Sequence, residues 1–275
     1  MNRRYPYLMA GLPALTDVTD AKNFDLTAIR DDVAALFSDT DRDALQWLFL
    51  PFDNRNLAAL LQNAGTWSPY GNFPETALAS GMEHPEDLPA YMTGFLDCYS
   101  GRDGSHPEML HSQHPEDDLA VFFYRDALQH PSPFIRGWFA FDMELKNVTA
   151  ALTARRNGMD IRTVGDGDVQ DAIRSSSAAD FGLRQQRTWV GPLLQLMEEK
   201  DLIKRELQLD LLQWEQLDEM TALHDFDSIS ILAWMQKAIM VQRRLNWNAE
   251  TGQALFRQWI ADTRNSFDMR QILTA

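Results

Sequence analysis

Cysteine is almost missing from this chain. Of 275 residues only Cys98 is a cysteine. A lone cysteine cannot close an internal disulfide and gives no C-x-x-C pair for metal or redox work. Nothing in it calls for an oxidising compartment, so a reducing cytoplasm fits. Positive charge is also scarce. Lys and Arg total 25 against 40 Asp and Glu, a formal net charge of −15. Phosphate neutralisation needs a concentrated positive field, so the balance argues against a nucleic-acid binder. Adhesion to anionic headgroups is disfavoured for the same reason. A protein partner with a basic face stays open. No run approaches the roughly 20 apolar residues of a spanning helix, so no direct membrane insertion is expected and the chain is read as soluble by itself. Arg3–Arg4 precede a short apolar run that is bracketed by Pro6 and Pro13. That run is too short for a secretory h-region.

Phosphate-binding and nucleophile motifs are missing too. There is no G-x-x-x-x-G-K-[ST], no G-x-G-x-x-G behind a strand and no G-x-S-x-G elbow. Neither a cofactor nor a catalytic set is expected. Cys98, in FLDCYS, is read as packed in a helical core, because a nucleophile would need a neighbouring base.

What is present is apolar and aromatic: 45% of residues are hydrophobic, with 15 Phe, 8 Trp and 6 Tyr. The composition is globular. Spacings of three and four recur almost everywhere, while alternating β-branched runs are few, so the fold class is all-α. Helices are expected at 25–37 with Asp25 as N-cap, and at 39–50 ending at Pro51. Others are expected at 52–64 stopped by Gly65, at 85–99, at 116–130 and at 134–157 stopped by Gly158. A short one is expected near 169–176. A long element should run from about 183 to 223, kinked or restarted at Pro192. Helices at 228–245 and 249–264 complete the set. The Gly/Pro/His-rich stretch 100–115 reads as a loop within a single all-α unit (1–275), separating a first lobe (1–99) from the remaining bundles (116–275).

Two acidic or histidine-bearing loops are candidate metal sites. His106, His111 and His114 lie within nine residues, beside Glu108, Glu116 and Asp117. Imidazole with carboxylate is a ligand set for zinc or a similar ion. The H-E-x-x-H spacing is lacking, so a solvated loop is the favoured reading and a helical metal-binding protein or metalloenzyme the alternative. Asp166, Asp168 and Asp171 in GDGDVQDA miss the calcium-loop register, and read as a turn leading into a helix.

The most informative feature is a recurrence. Residues 47–63 read WLFLPFDNRNLAALLQN, and residues 138–157 read WFAFDMELKNVTAALTARRN. Each has an aromatic–apolar stretch, Phe-Asp, an Asn further on and an Ala/Leu run. Asp53 with Asn56, and Asp142 with Asn147, are placed as polar pairs on buried helix faces. Such groups must find hydrogen bonds, which suggests ties between helices. A weaker echo is ILAWMQKAIMVQRRLNW, 231–247; no fixed period is kept, so chance likeness among amphipathic helices is the alternative.

These segments resemble the C-subunit family of V-type and archaeal-type ATPases, the d subunit of eukaryotes. That family repeats acid-x-x-Asn-x-x-x-x-Leu-Arg once in each of three pseudo-symmetric bundles. FDNRNLAALLQN (52–63) looks like a first copy, FDMELKNVTAALTARRNG (141–158) like a second, and 231–247 like a degenerate third. YPYLMAGLPAL (5–15) is similar to the opening of a bacterial family of uncharacterised proteins encoded among V-type ATPase genes. The copies depart from the pattern. The first ends in Gln62–Asn63 where a basic residue belongs, the second has extra residues between Asp142 and Asn147, and the third lacks the acid–Asn pair. The chain is also shorter than typical members of the C-subunit family.

The resemblance implies nested helical bundles with pseudo-threefold repeats. It implies a non-catalytic part that couples the central stalk to the membrane rotor ring. Such a protein is cytoplasmic and peripheral on the inner membrane through protein contacts. Its partners would be central-stalk subunits and the ring, and it needs no cofactor. Trp67, Tyr70 and Phe73 in the 65–75 loop are candidates for partner contact, with core packing as the alternative. A helical adaptor unrelated to ATPases is the remaining reading.

Overall fold

The computed structural model describes residues 4–15, 24–63, 65–102 and 114–246. Among them are eleven α-helices and no strand. The lone β-type bridge among the described residues pairs Arg4 with Asp227. None of these helices is long and apolar enough to cross a membrane. The expected helix at 249–264 lies outside the described residues. The chain divides into two compact units, one made of 1–42 with 188–275 and the other of 43–187. The expected lobe boundary at 100–115 falls inside the second unit.

In the first unit, carboxylates start three of the helices. Asp25 caps α2 (Leu26–Leu36) by accepting the Thr27 and Ala28 amides, each at 3.0 Å. Asp201 caps α10 (Leu202–Thr221), and Asp227 caps α11 (Ser228–Leu245). A cap of this kind satisfies amides that have no partner inside the helix. The caps explain a difference from the sequence expectation. The 183–223 stretch holds two helices, α9 (Val190–Met197) and α10. One helix starts at Val190, beside Pro192, as a restart there implies, and a second break falls at 198–201, where Asp201 restarts the chain. Pro192 sits in the first turn of α9, where no intrahelical N–H is needed.

α11 packs against α10 and α2. It is apolar along most of its length, with Ile231, Leu232, Met235, Ala238 and Val241 buried. The N-terminal segment is tied beside it. The Tyr5 amide donates to the Phe226 carbonyl at 2.5 Å. Trp234 Nε1 donates to the Pro13 carbonyl at 3.2 Å. Between these ties lies α1 (Pro6–Gly11), a short helix that the sequence pattern does not signal. Tyr5 also packs on Phe37 at 4.9 Å, and its hydroxyl donates to Asp41 at 2.5 Å.

The second unit is built on α3 (Asp39–Gln62), most of which it contains, with α4 (Glu75–Glu83), α5 (Ala90–Tyr99), α6 (Pro115–Ala127), α7 (Pro133–Asn157) and α8 (Asp168–Ser175). Its core is aromatic. Phe123 packs edge-on against Phe139 at 4.9 Å and against Tyr91 at 5.4 Å, and Trp47 lies 5.8 Å from Phe123. Cys98 is buried on α5. Here α3 corrects the expectation of a break at Pro51, because the helix runs through it. Proline removes one ladder bond. Leu48, Phe49, Leu50 and Leu57 are buried on both sides of it, and that packing holds the helix together. The stop also moves: Asn63, at φ 50°, takes the left-handed position expected for Gly65. Gly158, at φ 64°, ends α7 as expected.

Candidate functional site

Asp53 and Asn56 are three residues apart on α3 and share one face, as helical geometry requires. Both are fully buried. The bonds they make run to the loop that follows α3, where the sequence suggested ties between helices. Asn56 Nδ2 donates to the Ser68 carbonyl at 2.9 Å, and the Ser68 amide donates to Asn56 Oδ1 at 2.8 Å. The side-chain amide thus pairs with a backbone peptide group as a neighbouring strand would. Asp53 accepts from the Asn72 amide at 2.9 Å, from Asn72 Nδ2 at 2.8 Å and from the Phe73 amide at 3.1 Å. The loop lies so close that a Cβ on Gly71 would fall 2.2 Å from Asp53 Oδ1. Only glycine fits there.

The candidate contact residues ride on this clamped loop. Trp67, Tyr70 and Phe73 are all half-buried. Tyr70 packs on Phe52 at 5.5 Å, and the Arg55 guanidinium covers the same Phe52 ring at 4.8 Å. These aromatics are partly core and partly surface.

Asn147 on α7 repeats the Asn56 arrangement. Its Nδ2 donates to the Val164 carbonyl at 2.8 Å, and the Val164 amide donates back to Oδ1 at 2.8 Å. A glycine follows directly here. Gly165 has φ +72°, and a Cβ on it would lie 2.8 Å from Met143 Sδ. Asp142 does not share this task. It accepts from the Tyr124 hydroxyl at 2.6 Å and from Lys146 at 2.8 Å, so it joins α7 to α6. Burial, and then the charge of Asp142, raises the Tyr124 phenol well above its ordinary value.

Counted from the preceding tryptophan, the position of Asp53 falls on Glu144 and not on Asp142. Trp47 precedes Asn56 by nine residues, and Trp138 precedes Asn147 by nine. In that register no residues are inserted, and Asp53 and Glu144 each stand three before the Asn. Glu144 accepts from Arg187 Nε and Nη2, both at 2.8 Å. Arg187 also reaches Asp168 at 3.1 Å. Its hydrogen bond to Glu144 raises the guanidinium pKa further, despite partial burial. Alignment on Phe-Asp hides Glu144; the Trp-to-Asn distance is the signal that finds it. In α11 the position nine after Trp234 is Arg243, whose guanidinium bonds the buried Asp210.

The metal candidates fare differently. His106 and His111 lie outside the described residues. His114 stands at the N-cap of α6. Among the described residues no three His, Cys, Asp or Glu side chains gather as a metal site would require. Asp166, Asp168 and Asp171 are drawn to arginines, Asp166 and Asp171 to Arg174 and Asp168 to Arg187.

One family description matches residues 1–266 of the chain: "Protein of unknown function (DUF2764)". The chain belongs to the DUF2764 family. No curated protein and no solved structure matches it. In this DUF2764 member the most elaborately built polar features named by the sequence are thus two buried asparagine clamps. They fix loops.

Proposed function

We propose that this DUF2764 protein is a non-catalytic coupling subunit of a V-type rotary ATPase, placed between the central stalk and the membrane rotor ring. The observation that carries the reading is the acid-x-x-Asn recurrence. Asp53-x-x-Asn56 and Glu144-x-x-Asn147 stand in one register behind a tryptophan, and each asparagine holds its following loop by the same reciprocal pair of bonds. On this reading α3 and α7 head two copies of an ancestral bundle, with α11 as the degenerate third. The physics suits the task. A part that transmits torque must resist shear, and loops bonded to buried helix side chains keep their shape better than loops held only by exposed contacts. The excess of acid would favour basic partners on stalk or ring. The protein would be cytoplasmic, and peripheral on the inner membrane through those partners. Trp67, Tyr70 and Phe73 would contribute to the contact.

The test is recovery of the tagged full-length chain from gently solubilised membranes of its native host. Co-purification of central-stalk subunits and the rotor ring in fixed ratio is expected. Recovery of the chain from the same membranes and from cytosol, without either, would overturn the reading.

A further inference from the structure

In the first unit, large apolar side chains are exposed where two chain segments are bonded together. Leu223 is 96% exposed and Phe226 is 50% exposed, both in the turn between α10 and α11. Tyr7, on α1, is 93% exposed. The Tyr5 amide bonds the Phe226 carbonyl, and Arg4 bridges to Asp227, so Tyr7 starts two residues from this junction. Phe226 has φ 59°, the left-handed region that a bulky side chain rarely enters. A strained backbone that turns an aromatic ring toward solvent points to a use for the ring.

The charges around the patch say what would cover it. Glu219 stands four residues, about one helical turn, before Leu223. Asp225 lies between Leu223 and Phe226. Both are exposed, and neither carboxylate has a partner among the described residues. Asp218 and Asp227 nearby are engaged, by Lys237 and His224. Among the described residues, Arg4 at the bridge stands against the two carboxylates of Glu219 and Asp225, an acidic balance. A second copy would bring the same two carboxylates face to face under a chain charge of −15. Anionic lipid is repelled likewise.

We infer that Tyr7, Leu223 and Phe226, rimmed by Glu219 and Asp225, form a docking surface for a cationic, apolar-faced segment of a protein partner. This inference stands on the patch alone and does not rest on the rotary reading. The occupant would lay its apolar residues on the patch and set Lys or Arg against the two carboxylates, as an amphipathic helix does. The probe is a fluorescently labelled amphipathic helix of Leu and Lys, titrated by anisotropy against the full-length chain. Binding should weaken as salt is raised, and a Leu/Glu version of the probe should not bind. The pair Leu223→Ser with Phe226→Ser, and separately the pair Glu219→Gln with Asp225→Asn, should each weaken binding about ten-fold or more, roughly 1.4 kcal/mol per factor of ten. Circular dichroism melts confirm that the surface variants are folded. The inference is overturned if the probe fails to bind, or if both pairs bind it as the unaltered chain does. It is equally overturned if the Leu223/Phe226 pair abolishes a dimer seen by light scattering, or abolishes sedimentation with phosphatidylserine vesicles.

Discussion

Asn56 and Asn147 make the same reciprocal pair of hydrogen bonds, one to the peptide group of Ser68 and the other to that of Val164. In each case a buried side-chain amide satisfies both a donor and an acceptor of a loop. Asn56→Ala leaves the Ser68 amide and carbonyl without those partners, and should cost about 1–3 kcal/mol. Asn147→Ala should cost a similar amount, eased where Gln170 Nε2 still donates to the Val164 carbonyl at 3.1 Å. Urea unfolding of the two variants measures both. A loss below about 0.5 kcal/mol at Asn56, the level of a neutral surface change, would show that the loop finds other partners.

Glycines on this scaffold should respond in opposite directions. Gly71→Ala drives a Cβ into Asp53 Oδ1, at 2.2 Å, and must displace the loop or the carboxylate. A loss of about 1–3 kcal/mol is expected, as for other overpacking changes. Gly94→Ala sits inside α5, where a Cβ would meet only Phe122 at 3.6 Å, ordinary contact. There alanine should stabilise by about 0.5–1 kcal/mol, since glycine weakens a helix interior. Thermal melts of the two variants should move apart. A shift in the same direction would contradict the geometry.

The helical class was legible because α2, α7 and α11 carry an apolar stripe bounded by caps such as Asp25 and Gly158, and those are local signals. The run of α3 through Pro51 was not, because it depends on packing around Leu48, Phe49 and Leu57 that the local sequence does not record. Of the polar cluster, Asp53 and Asn56 could be picked out as a polar pair within an apolar stretch. Their partners could not, because Ser68 and Asn72 are joined to them by the path of a loop. Glu144 was obscured by Asp142, two residues earlier, which sits in the more conspicuous Phe-Asp pair.

Alkali should loosen the second unit. Burial raises the Tyr91 phenol well above its ordinary value, and the charge of Asp53 adds to this; its hydroxyl donates to Asn54 at 2.6 Å. Tyr124 is raised by burial and by Asp142. In the unfolded chain both phenols lose their protons near pH 10, while the folded chain keeps them. The unfolded state then binds fewer protons, so stability falls as pH rises. It is fully present below about pH 10 and is lost as pH climbs from there toward the folded values. The urea midpoint should hold steady from pH 7 to pH 9 and drop beyond pH 10, with a smaller drop in Tyr91→Phe with Tyr124→Phe. Ultraviolet titration of the native chain should show these two phenols ionising only as it unfolds.

In the first unit the most demanding polar group is Asp210. It is fully buried, and it is bonded by the guanidiniums of Arg243 and Arg244, the second of which is buried too. Arg244 also donates to the Glu206 carbonyl at 2.8 Å, so the pair fastens α11 to α10. Taking two such charges out of water costs much of what their attraction returns, and the pair is therefore worth little in net stability. Breaking it is another matter. Asp210→Ala strands the Arg244 charge in an apolar interior, and should cost about 3–5 kcal/mol. Arg243→Ala should cost far less, because that side chain is about half exposed and Arg244 still neutralises the carboxylate. The decisive variant replaces both partners, Asp210→Leu with Arg244→Met. It removes the stranded charge along with the pair, so it should recover a large part of the Asp210→Ala loss in a urea titration. No recovery would mean that the hydrogen bonds of the pair, and not the stranded charge, account for the cost.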